Sequence, residues 1–167
     1  MRSGATAAGG DRFDLARFVE AQAAVIEQVR YELRGGRKRT HWMWYIFPQL
    51  RGLGHSAMAQ HFGLRGADEA AAYLAHPVLG VRLLECTQLV NQIDGHSIEQ
   101  IFSAPDDLKF RSCMTLFAAL QGAPPPFRTA LAKYFGAVPD PLTIAALQAA
   151  KPLAGKDPTL TGSAGSA

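Results

Sequence analysis

Cysteine is scarce. Cys86 and Cys113 are the only two in 167 residues, they stand far apart, and no CxxC occurs. Isolated thiols inside apolar stretches read as small buried hydrophobes in a reducing cytoplasm, not as a disulfide framework or a thiolate zinc site. The five histidines form no HExxH, and neither a GxSxG elbow nor a Walker A loop is present. No metal and no cofactor are therefore expected. No apolar run approaches the ~20 residues of a membrane span. The small polar start, MRSGATAAGGD, lacks the apolar stretch of a secretory leader, so no membrane partner is expected. A strong excess of one charge is also missing. The net charge is +3 with a pI near 9.1, short of the dense basic stripe of a dedicated nucleic-acid binder. Hairpin-joined runs of alternating apolar and polar residues are absent too.

What remains is a chain in which nearly half the residues are apolar and about a fifth charged, an ordinary globular composition. Its length fits one domain with its own core. Residues 1–10 and 151–167 are rich in Gly, Ala, Ser and Thr or broken by Pro, and read as disordered tails. The domain is placed at 11–150. Within it the punctuation is helical. Leu15, Phe18, Val25, Val29 and Leu33 recur on one stripe, with Asp11 or Asp14 as cap and Gly35-Gly36 as stop. Ser56 caps SAMAQHF, Asp68 opens DEAAAYLAH, and Pro77 precedes VLGVRLLECTQLVNQI. Ser97 caps SIEQIF. Ser103 to Asp106 reads as a capping box before DLKFRSCMTLFAAL. Two Pro-started helices follow, PPPFRTALAKYFG and, after Asp140, PLTIAALQAA. The expected fold is all-α, a compact multihelical single domain of about seven or eight short helices.

One stretch stands apart, GRKRTHWMWYIFPQL from Gly36 to Leu50. Periodicity does not distinguish strand from helix here, because both faces are bulky. A lone strand would leave its backbone unpaired. A short helix capped by Thr40 and ended before Pro48 is expected, enclosed by its neighbours as a core plug. Trp42, Trp44, Tyr45 and Phe47 bury large areas. Two tryptophans one residue apart do not easily face the same core, which leaves one of them free to line a pocket. Arg37 and Lys38 supply charge for an anion, and His41 follows them as a hydrogen-bonding or proton-transferring group. Gln49 and Gln22 are amides beside apolar runs. Gln22 sits on the first helix's apolar stripe, where it either pins another segment's backbone or reads a ligand.

PDDLKFRS places Asp106 and Asp107 in a helix's first turn. There they complement the macrodipole and form pairs with Lys109 and Arg111, or act as a paired-carboxylate site with Lys109 nearby. GLGHSA, from Gly52 to Ala57, matches a loose dinucleotide pattern without the second βα unit that pattern needs.

Five stretches together carry a resemblance: FDLARFVEAQ, GRKRTHWMWYIFPQL, GLGHSAMAQHFGL, AYLAHPVLGVRLLEC and IFSAPDDLKFRSCMTLF. In this order they resemble the bacterial and fungal domain-of-unknown-function family eighteen-ten, over most of Asp11 to Gly122. The resemblance implies a multihelical domain and no particular reaction. Some relatives carry the label calpastatin, a disordered inhibitor, which a chain of capped apolar helices does not fit.

Function is therefore read from the residues. The leading expectation is a cytoplasmic helical protein with a pocket for a small anionic or nucleotide-like ligand. Arg37, Lys38, His41, Trp42, Trp44 and Gln49 form one wall and Asp106, Asp107 and Lys109 the other. The alternatives are a nucleic-acid-binding accessory module, with Arg37 to Arg39 on phosphates and a Trp as stacking platform, and a protein-interaction domain without a ligand site.

Overall fold

The computed structural model describes residues 10–150; the two tails expected to be disordered lie outside the described residues, Gly10 excepted. All named elements are helices, ten in number among the described residues. They are α1 (Ala16–Ala23), α2 (Ile26–Arg34), α3 (Met43–Ile46), α4 (Ala57–Phe62), α5 (Ala67–Ala75), α6 (Leu79–Asn91), α7 (Ile98–Phe102), α8 (Asp106–Ala118), α9 (Pro126–Phe135) and α10 (Pro141–Ala150). The only extended pairing among them is an isolated parallel bridge between Leu50 and Leu64. It brings the chain after α3 alongside the end of α4.

The count exceeds seven or eight partly because the first apolar run divides. Asp11, not Asp14, caps it, accepting from the Leu15 and Ala16 amides at 2.7 and 2.8 Å. The helix then breaks at Ala24 and Val25, so that α1 packs on α3 while α2 packs on α6. Gln22, at the end of α1, explains part of this. Its amide donates to the Tyr45 carbonyl at 2.7 Å and to the Tyr73 hydroxyl at 2.9 Å. The amide on the apolar stripe is thus a pin for the backbone of α3.

Two other caps differ from expectation. Thr40 does not cap α3; the residue before that helix is Trp42, with no side-chain cap. Ser103 opens no capping box. It ends α7 with φ +63°, and α8 starts after Pro105 without a side-chain cap. Ser97 and Gln100 form the reciprocal box instead, at the start of α7. Ser56 caps α4 through the Ala59 amide.

The aromatic segment is the plug of the core. Trp42, Met43, Tyr45, Ile46 and Phe47 are all buried. Phe47 meets Phe102 and Phe110 edge-on, at ring separations of 5.8 and 5.0 Å, a favoured geometry for aromatic pairs. The plug therefore rests on α7 and α8, and this brings two segments about sixty residues apart in sequence to one place. A buried ion pair, Arg17 to Glu69 at 2.8 Å, ties α1 to α5. Arg17 also donates to the His61 carbonyl at 3.0 Å, so the charge is fully engaged.

Candidate functional site

Glu32 organises the basic-aromatic segment. It sits on the inner face of α2 and is buried. Its Oε1 accepts from the Thr40 amide at 2.8 Å and from the Trp42 indole at 3.1 Å. The Arg39 amide, the Thr40 hydroxyl and the Gln28 amide complete the shell. Burial by itself pushes the carboxyl pKa up. The Thr40 hydroxyl and the Arg39 and Thr40 amides outweigh that and hold it at about 2. The loop carrying Arg37 to His41 is thus wrapped around one permanent anion. Sequence reasoning passed over Glu32, although its signal was the one that exposed Gln22: a polar residue three positions after Val29, on the apolar stripe.

The loop and the start of α8 meet directly. Lys38 Nζ lies 2.9 Å from Asp106 Oδ2, and Lys109 Nζ lies 3.7 Å from Asp106 Oδ1. Each lysine also stands over an indole: Lys38 is 5.2 Å from the Trp42 ring centre and Lys109 is 5.3 Å from that of Trp44. One carboxylate is therefore held between two cation–π pairs. Lys38, Trp42, Trp44, Asp106 and Lys109 come together as a structural unit.

The other expected residues do not all join them. Arg37 is exposed and faces a different cleft, beside His96. His41 is exposed, and its carbonyl, not its ring, is engaged, by the Tyr45 hydroxyl. Asp107 is buried and forms no ion pair with Arg111, which reaches the Val138 and Pro139 carbonyls instead. Trp42 is fully buried and offers no stacking platform to a base.

The space between the two segments is small. A notch of about 10 Å³ is lined by Trp44, Gln49 and Lys109 with Met43, Phe47, Ala59, Phe62 and Gly63. That is room for one water-sized group, not for a whole nucleotide. Gly54 closes in on it from the neighbouring loop. A Cβ there would lie 3.2 Å from the Gln49 amide nitrogen and 2.6 Å from Ala59 Cβ. Two buried polar atoms of the paired segments lack any hydrogen-bonding partner among the described residues, Trp44 Nε1 and Asp107 Oδ1. A third such atom, Asn91 Oδ1, belongs to α6.

No group of three or more His, Cys, Asp or Glu among the described residues is placed to hold a metal ion. No helix among them is long and apolar enough to cross a membrane. Both cysteines are buried and free; burial pushes the Cys86 thiol up to about 12 and Cys113 well above its ordinary value.

Comparison with known proteins agrees with the helical architecture. The family described as Protein of unknown function (DUF1810) matches residues 12–147. A solved structure, that of the conserved hypothetical protein Rv1873 from Mycobacterium tuberculosis, is similar at 57% sequence identity and a TM-score of 0.82. The match covers 83% of this chain and 99% of that one. No curated protein matches.

Proposed function

This chain belongs to the DUF1810 family, and from that premise we propose that it is a ligand-binding helical domain for a small anionic, nucleotide-like molecule. The binding point is the notch between the basic-aromatic segment and the start of α8. One observation carries the reading: Trp44, which lines the notch, leaves its buried indole N–H without a partner. Buried polar groups are paired in the great majority of cases, so this donor asks for an acceptor from outside the chain.

The donors at the notch suit an oxyanion. Trp44 offers an N–H, Gln49 an amide and Lys109 an ammonium. Asp106 lies closer to Lys38, at 2.9 Å, than to Lys109, at 3.7 Å, so it neutralises Lys109 only in part. The size of the notch limits what enters to a single oxygen-sized tip. A corner of a phosphate or carboxylate therefore enters, while the body of the ligand lies outside. The compartment that goes with this reading is the cytoplasm, supported by two free, buried thiols.

A thermal-shift screen of the full chain tests it, with inorganic phosphate, nucleoside monophosphates and simple carboxylates as probes. At least one probe raises the melting temperature, and the rise disappears in Trp44→Phe and in Lys109→Met. A rise that survives both substitutions, or no rise with any probe, sinks the reading.

A further inference from the structure

The charges at the start of α8 do not by themselves favour an anion at the notch. Lys38 and Lys109 share Asp106, and Asp107, which is buried, follows it in α8. Two cations thus stand beside two acids. An uncompensated positive charge has to come from another part of the chain.

Arg51 supplies it. The residue is exposed and forms no ion pair among the described residues. Its place is set by the parallel bridge between Leu50 and Leu64. The Arg51 amide donates to the Leu64 carbonyl at 2.8 Å, and the Leu64 amide donates to the Gln49 carbonyl at 3.0 Å. Successive side chains of an extended segment point to opposite faces. Leu50 is buried, so Gln49 and Arg51 share the face turned away from it. Gln49 lines the notch.

A glycine brings the arginine up to the rim. A Cβ on Gly63 would lie 2.8 Å from both Arg51 Cβ and the Ala59 carbonyl oxygen. Gly63 and Ala59 both line the notch. The missing side chain lets the root of the arginine close up against them.

We propose, resting on the reading of the notch given above, that Arg51 is its specificity-determining residue and selects a phosphate monoester over a carboxylate. The notch takes one oxygen. A carboxylate then has a single oxygen left outside. A phosphate ester has two terminal oxygens outside, and these match the paired N–H groups of a guanidinium fork. The ester also carries close to two negative charges at neutral pH, and Arg51 offsets the second.

Calorimetric titration of the full chain with adenosine 5′-monophosphate and adenosine-5′-carboxylate tests the proposal, because the two probes share one body and differ in the oxyanion. The monophosphate binds more tightly by roughly tenfold or more, the scale of one added charge-assisted hydrogen bond. Arg51→Gln removes that preference, weakening the monophosphate far more than the carboxylate. Trp44→Phe and Lys109→Met weaken both probes, since both place an oxygen in the notch. If both probes bind and lose affinity in those two variants, but Arg51→Gln leaves their ratio unchanged, the role of Arg51 is overturned and the notch stands. Equal affinity of the wild-type chain for the two probes overturns it in the same way. If neither probe binds, or if Trp44→Phe and Lys109→Met leave binding unchanged, the notch falls and the role of Arg51 falls with it.

Discussion

The indole N–H of Trp42 donates to Glu32 Oε1 at 3.1 Å, which anchors the largest side chain of the core to a buried charge. Two further contacts of the same carboxylate, from the Thr40 amide and hydroxyl, tie down the loop before α3. The plug and the loop are therefore held by one group.

Glu32→Gln should lose stability in a pH-dependent way. The folded carboxyl titrates at about 2 against an ordinary value of 4.5. The stabilisation is therefore fully present above that ordinary value and is lost as pH falls toward 2. It amounts to roughly 3 kcal/mol at neutral pH. Urea unfolding at pH 7 and near pH 2 checks this: the gap between wild type and variant should be large at pH 7 and close to nothing at the lower value. An equal gap at both would show that the carboxylate's charge is not what stabilises the loop.

The two tryptophans should respond oppositely to trimming. Trp42→Phe removes a buried, bonded N–H and leaves Glu32 short of a donor, at a cost of about 1–3 kcal/mol. Trp44→Phe removes an N–H that has no acceptor, so it should cost under about 1 kcal/mol or even stabilise. Chemical denaturation midpoints decide it. Equal losses for the two would contradict the hydrogen-bond assignment.

Gly80 should tolerate no side chain. A Cβ at this position in α6 would stand 2.0 Å from the Leu74 carbonyl oxygen of α5, and backbone cannot give way as a flexible side chain can. Gly80→Ala should cost about 3 kcal/mol or more, beyond the usual range of overpacking, despite the better helix propensity of alanine. A melting temperature at or above that of wild type would show that α5 and α6 separate freely.

Much of the fold was legible in local chemistry. Asp11, Ser56, Ser97 and Asp140 announce helix starts because a short oxygen-bearing side chain satisfies amides only a few residues away. Each of them does so here. The misplaced caps have a tertiary cause. Thr40 has the right chemistry for a cap, but Glu32 from the preceding helix takes its hydroxyl. Ser103 is followed by an acid at the right spacing, but its left-handed backbone ends α7 instead. The break at Ala24 and Val25 carries no local signal, because it follows from two different neighbours, α3 and α6, on either side of it.

The candidate site divides along the same line. The sequence by itself determined the class of the fold and the residue types concentrated before the plug and at the start of α8. Composition, apolar period and caps act over a few residues, and the chain displays them directly. Only the tertiary structure decided which of those residues meet. Lys38 reaches Asp106 and Lys109 lies over Trp44, while Arg37, one residue away from Lys38, points to a separate cleft with His96. The reason is steric: at each backbone position packing selects one direction for the side chain. Neighbours in sequence thus part across the surface, while residues sixty positions apart share a charge.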